Sequence, residues 1–252
     1  MANIALITGA TSGIGEACAH LFAREHYNLV LTGRRLDRLN KLAKELNTAY
    51  NAEVAVSSFD VRDREQVVSS LDSLPDKWKK VDVLINNAGL SQGLDPIQNG
   101  SYADWDTMID TNIKGLLYVT KVVSGWMIGN KHGHIINLGS IAGKEVYPNG
   151  NVYCATKHAV DALNKAMRID LLPHGIKVTG VHPGAVETEF SEVRFKGDKE
   201  RAKKVYDGFE PLVANDIAET IWFAVSRPAH VNINELTVMP TAQAAAATIF
   251  RK

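Results

Sequence analysis

Thr8-Gly9-Ala10-Thr11-Ser12-Gly13-Ile14-Gly15 is the stretch on which the fold turns. Ile4, Ala5, Leu6 and Ile7 precede it as a short apolar run, which reads as a buried strand. After it, Ile14, Ala17, Cys18, Leu21 and Phe22 recur at i, i+3, i+4, i+7 and i+8, the stripe of an amphipathic helix. The glycines let backbone N–H groups come close to a phosphate, and a helix N-terminus favours its negative charge. The spacing is GxxxGxG. It lacks both the GxGxxG order and the Gly-Lys-Ser/Thr ending of an ATP-type P-loop. Strand, phosphate loop and helix follow one another; the competing reading is a tight structural turn.

The same alternation continues outward. Short apolar segments suggest strands over 3–8, 29–32, 54–59, 81–85, 134–138, 178–181 and 236–239. Helical stripes lie between them over 36–46, 64–74, 105–127, 152–172 and 216–225. The strands are apolar on both faces, so the expected fold is α/β: a Rossmann-type doubly wound parallel sheet of seven strands with helices on both faces. The whole of 1–252 reads as one domain, with 185–211 a polar, irregular loop containing short helices. Such sheets bind ligands beyond the carboxyl ends of their strands. Gly9, Asn87, Ser140 and Pro183 all fall there.

Composition narrows the function. Lys plus Arg and Asp plus Glu number 28 each, so the net charge is zero. That argues against a nucleic-acid binder working by broad phosphate neutralisation. No apolar run is long enough to span a bilayer, and nothing at the start reads as a signal peptide. Cys18 and Cys154 have no metal or redox spacing and read as small core residues in a reducing cytoplasm. His132-Gly133-His134 lacks a third ligand and reads as a turn entering a strand. Trp222 and Phe223 read as core.

Three sets of residues carry chemistry. Tyr153 and Lys157 stand one helical turn apart on one face. A phenol titrates near pH 10 unaided, and a neighbouring ammonium favours its phenolate, so the pair makes an acid/base for neutral pH. Ser140, after the fifth strand, can donate to a carbonyl oxygen becoming alkoxide-like; a loop-capping hydroxyl is the plainer alternative. Asn112, within a helical stretch, is either functional or a buried structural hydrogen bond. Arg34 and Arg35 follow the second strand, where an acid would take a ribose 2′-hydroxyl and an arginine a 2′-phosphate. This favours NADP over NAD.

Together TGATSGIG, Asn86-Asn87-Ala88-Gly89, Asn112, Ser140, Tyr153-x-x-x-Lys157 and Pro183-Gly184 resemble the signature of the short-chain dehydrogenase/reductase family, in order and spacing, over residues 3 to 239. The resemblance implies NADP(H)-dependent hydride transfer between an alcohol and a carbonyl. It implies Tyr153 as proton donor or acceptor, and Lys157 on the nicotinamide ribose and lowering the phenol's pKa. It gives Ser140 to the substrate oxygen and Asn112 to a proton relay. For the cofactor it implies Gly9, Thr11, Ser12, Gly13, Ile14, Gly15, Arg34, Arg35, Asp60, Val61, Asn87, Ala88, Gly89, Tyr153, Lys157, Pro183, Gly184, Val186 and Thr188. It also implies a homotetramer, built on two long central helices and the C-terminal region.

The segment 189–198, with His230–Asn234 and Met239-Pro240, further resembles a branch of NADP-dependent 3-hydroxy acid dehydrogenases. That branch acts on serine, allo-threonine or 3-hydroxypropionate, and on malonic semialdehyde in reduction. A carboxylate beside the reacting carbon wants a guanidinium. Arg194 is the first candidate and Lys196 the second, with a salt bridge inside a polar lid as the plainer reading. The substrate-binding set is then Ser140, Tyr153 and Arg194. The alternatives are an uncharged ketone, diketone or sugar as substrate, or a non-catalytic NADP-binding sensor.

Overall fold

The computed structural model describes residues 2–252. β1 (Ile4–Thr8), β2 (Asn28–Gly33), β3 (Val54–Ser58), β4 (Val83–Asn86), β5 (His134–Leu138), β6 (Lys177–Pro183) and β9 (Glu235–Val238) form one seven-stranded sheet, ordered β3-β2-β1-β4-β5-β6-β9. Every neighbouring pair is parallel. The strand order reverses between β1 and β4, which opens a crevice above their carboxyl ends.

Alternate residues of each strand feed two cores, because successive side chains point to opposite faces. Ile4 and Leu6 of β1 join the core under α3 (Arg64–Asp72), α5 (Leu116–Asn130) and α6 (Asn151–Leu171). Ala5 and Ile7 join the core under α1 (Gly13–Arg24), α2 (Leu36–Tyr50) and α9 (Ala214–Val225). Trp222 packs edge-on against Phe22 and Tyr27 in that second core, whereas Phe223, expected there too, is exposed under the Arg227 guanidinium. His134 is buried in the sheet with Nε2 2.8 Å from the Thr179 hydroxyl.

Two features depart from the sequence reading. The helix expected over 105–127 is broken. α4 (Tyr102–Ile109) passes through a π turn, Asp110–Gly115, into α5. Hydrophobic periodicity does not reveal this, because the buried positions Met108, Asn112, Leu116, Val119 and Val123 keep three- and four-residue spacings across the break; such turns cluster at functional sites. At the two ends of the polar segment 185–211 a small parallel pair forms, β7 (Val186–Glu187) with β8 (Leu212–Val213) just beyond it. It flanks α7 (Phe190–Arg194) and α8 (Lys199–Lys204), so the polar segment is an ordered lid hung from the end of β6.

Candidate active site

The glycine-rich turn is shaped by contacts that exclude larger residues. Gly9 has φ +66°, in the region that favours glycine. A Cβ on Gly15 would lie 2.4 Å from the Gly9 carbonyl oxygen, so α1 can start close against the loop only with glycine there. Ser12 precedes α1 in extended conformation without capping it; its hydroxyl instead accepts a 2.8 Å hydrogen bond from Arg35 Nη2. The first N–H groups of α1 are thus left to an anion. Asn87 braces the other side by donating to the carbonyls of Thr8 and Gly9 at 2.8 and 3.1 Å.

One cleft runs from Arg34, Arg35, Asp60 and Val61 past Gly9, Thr11, Ser12, Gly13 and Ile14. It continues along Asn87, Ala88 and Gly89 to Ser140, Tyr153 and Lys157, under Pro183, Gly184, Val186 and Thr188. Of the expected cofactor residues Gly15 alone does not line it, because its role is the close approach to Gly9. Gly33, Phe59, Leu90, Thr111, Leu138, Glu189, Phe190 and Val193 also line the cleft and were not read from the sequence as site residues. Most are apolar or backbone contributors without a chemical signature. Glu189 carried one, a carboxylate directly after Thr188, and could have been found.

At the far end Tyr153 is buried, with Ser140 and Arg194 as its polar surroundings. Burial pushes its phenol above the usual range, opposed by the Arg194 charge and by hydrogen bonding with Ser140. Lys157 stands on the same wall, one turn further along α6 from Tyr153. Lys157 is itself buried, and desolvation brings its ammonium down to about 8. Its Nζ donates to the Leu138 carbonyl at 2.8 Å.

The Asn112 side chain is engaged by its neighbours. Its Oδ1 accepts from the Leu90 N–H, while its Nδ2 donates to the Leu90 carbonyl (2.8 Å) and the Thr156 hydroxyl (3.0 Å). It lies behind the cleft wall and holds the Gly89-Leu90 backbone in place. The two lid cations separate clearly. Lys196 pairs with Asp104 at 2.9 Å. Arg194 donates to the Tyr147 hydroxyl at 3.0 Å, with its guanidinium carbon 5.3 Å from the Tyr153 ring centre and 5.1 Å from that of Phe190. Its Nε is buried without a partner. Val193, next to it, lines the cleft, whereas Arg194 stands just behind.

The arginines after β2 differ as well. Arg35 is engaged: Nε and Nη2 donate to the Thr11 hydroxyl (2.9 and 2.7 Å), and Nη1 to Glu189 (2.9 Å). Arg34 is exposed, with only a 4.0 Å approach to Asp60. Asp60 is held below the usual carboxylate range: burial works against this, but hydrogen bonds from Arg62 prevail.

Asp161, His182 and Glu235 also lie close together beneath the Ser140 loop. A cation already sits among them. Lys144 Nζ is 2.6 Å from Asp161 and 2.7 Å from Glu235, with Lys165 2.8 Å from Asp161. This is a charge-compensated network. It ties the Ser140 loop to α6, one turn past Lys157, and to β9. His182 stays neutral, because burial and then Lys144 bring its ring down to about 4.

The comparisons agree with this geometry. A short chain dehydrogenase family profile matches residues 3–199. The NADP-dependent 3-hydroxy acid dehydrogenase YdfG of Salmonella typhi is 46% identical over 241 residues, 95% of this chain and 96% of that protein. Sulfoacetaldehyde reductase 2 of Chromohalobacter salexigens is 48% identical over 245 residues, 97% of this chain and 96% of that protein. Among solved structures, the closed form of serine dehydrogenase complexed with NADP+ superposes with TM-score 0.93 at 44% identity, covering 99% of each chain.

Proposed function

The chain belongs to the short chain dehydrogenase family, and from that premise we propose that it transfers a hydride between NADP(H) and a small 3-hydroxy acid or its 3-oxo counterpart. The residues suit the cofactor. The uncapped start of α1 offers N–H groups to a pyrophosphate, and Arg34 is a spare guanidinium for a 2′-phosphate. When bound, the nicotinamide takes the hydride in oxidation and supplies it in reduction.

The remaining steps belong to the protein. Ser140 and Tyr153 hold the substrate oxygen between two hydroxyls. In oxidation the alcohol proton passes to the Tyr153 oxygen as the carbonyl forms; in reduction Tyr153 returns it to the nascent alkoxide. Lys157 brings a positive charge to the same wall, where an anionic phenolate gains from it. Asn112 acts as a positioning residue, through Leu90.

The observation that carries the substrate class is Arg194. Its guanidinium stands over the Tyr153 ring just behind the cleft wall, and brings positive charge to the end of the cleft where an acid's carbinol would meet Tyr153. Relatives that act on a 3-hydroxy acid and on serine support the same class. A second reading keeps the mechanism and replaces the carboxylate with a sulfonate, as the 48% identical sulfoacetaldehyde reductase suggests. Both are small anions that a guanidinium can chelate.

The test compares kcat/KM for serine, serine methyl ester, 3-hydroxypropionate and 2-hydroxyethanesulfonate, in wild type and Arg194→Ala. Preference for the acids, reduced in the variant, supports the reading. Equal use of the ester means that no anion is read, and preference for the sulfonate selects the second reading.

A homotetramer and a cytoplasmic location complete the proposal. Exposed Leu117 and Ile128 on α5, and Ile169 and Leu172 at the end of α6, supply apolar surface for the former. Among the described residues no helix is long and apolar enough to cross a membrane.

A further inference from the structure

Glu189 bridges the cofactor cleft. It follows Thr188, at the point where the lid leaves the sheet, and both its oxygens are taken from the opposite wall. Oε2 accepts from Arg35 Nη1 at 2.9 Å, and Oε1 from Arg38 Nη1 at 2.7 Å. Arg35 in turn spans the glycine-rich loop through the hydroxyls of Thr11 and Ser12. Phosphate loop, Arg35, Glu189 and Arg38 thus form one chain of charge-assisted contacts. It joins segments 154 and 151 residues apart in sequence.

We propose that Glu189 is a clasp on the dinucleotide: its ion pairs with Arg35 and Arg38 hold the lid across the cofactor groove, and their opening sets how fast the cofactor leaves. The inference rests on the NADP(H) reading given above. Three observations support it. The joined walls are the two between which a dinucleotide on the glycine-rich loop has to enter and leave. The overall conformation is close to that of a closed, NADP+-bound serine dehydrogenase. The Glu189 carboxyl is held at about 2: burial opposes this, and hydrogen bonds from Arg38 and Arg35 overcome it, so the clasp stays charged throughout the working pH range.

The clasp divides the two arginines after β2. The fork of Arg35 is occupied by Thr11, Ser12 and Glu189. Arg34, whose side chain is 62% exposed, remains to read a 2′-phosphate. Glu189 itself acts on either dinucleotide, because its contacts cross the groove without requiring that phosphate. Its partners are half exposed, so the pairs are weak and screened by salt. A gate that opens every turnover needs that weakness.

The test is the dissociation rate of NADPH and of NADH from pre-formed complexes, followed by stopped-flow fluorescence in wild type, E189Q, R38Q and the double variant. E189Q and R38Q are expected to speed both dinucleotides about three- to tenfold, the range that two half-exposed ion pairs support. The double variant should fall short of the product of the singles, since both remove one contact. Added salt should speed wild type more than E189Q, in which only the phosphate contacts remain to be screened. Unchanged rates in E189Q overturn the clasp. An effect confined to NADPH also overturns it, and makes Glu189 part of the 2′-phosphate site.

Limited proteolysis of the free protein within 195–211 is a readout that needs no cofactor. The lid of E189Q should be cut faster, and equal cutting overturns the clasp. If wild type binds neither dinucleotide, the cofactor reading fails while proteolysis still decides the clasp.

Discussion

Lys157→Met should make the free protein more stable while abolishing its usefulness. The wild-type ammonium is buried, 6% exposed, and its one hydrogen bond goes to the Leu138 carbonyl. Desolvation lowers it from 10.5 to about 8. At about 1.4 kcal/mol per pH unit, keeping that charge inside the fold costs roughly 3 kcal/mol. Methionine fills similar space without a charge, and leaving the Leu138 carbonyl unpaired returns about 1 kcal/mol of the gain. A net stabilisation of about 2 kcal/mol is expected at pH 7.

The pH dependence carries a sign. Between about 8 and 10.5 the unfolded chain holds a proton on Lys157 that the folded chain has shed. Wild-type stability attributable to this residue therefore rises with pH across that window and is flat below it. The gap between variant and wild type should close as pH rises toward 10. Urea denaturation at pH 7, 8.5 and 10 measures it. Saturating NADP(H) should add less stability to the variant than to wild type, because bound ligand stabilises by mass action. A variant less stable than wild type at pH 7, or a gap that ignores pH, refutes the reasoning.

Tyr153→Phe keeps the ring and removes the hydroxyl; turnover should fall roughly 10²- to 10⁴-fold or more with cofactor binding retained by fluorescence titration, and substantial activity sinks the acid/base role. Arg34→Ala should raise KM for NADP far more than for NAD, and losing a charge-assisted phosphate contact costs about 1.5–3 kcal/mol. Lys144→Met removes the ammonium between Asp161 and Glu235 and should lower kcat about ten- to a hundredfold by loosening the Ser140 loop, with KM for cofactor nearly unchanged. Sedimentation velocity should find a tetramer, and a concentration-independent monomer contradicts it.

The number and parallel arrangement of the sheet strands were legible because each is a short apolar run closed by a residue that ends strands, such as Gly9 after Thr8 or Gly139 after Leu138. The wide turn at Asp110–Gly115 was not, since the buried positions around it, Met108, Asn112, Leu116 and Val119, still recur every three or four residues. The residues that line the cleft were legible where their chemistry is unusual: glycines in a turn, a Tyr/Lys pair, serine after a strand. Phe59, Leu90 and Val193 were not, because an apolar wall looks like any other core.

Partnership is the layer that the sequence leaves open, and it alters three assignments. Arg34 and Arg35 are adjacent and chemically alike, yet one is free and the other has its fork filled by Thr11, Ser12 and Glu189. Arg194 and Lys196 are both lid cations, yet Lys196 is neutralised by Asp104, whereas Arg194 leans on the rings of Tyr153 and Phe190. Asn112 has the expected place in the chain, but Leu90 and Thr156 occupy its amide. In each case the residue type sets what chemistry is possible. The partner across the fold, brought within 3 Å by the sheet order, decides which of two equal candidates is left to perform it.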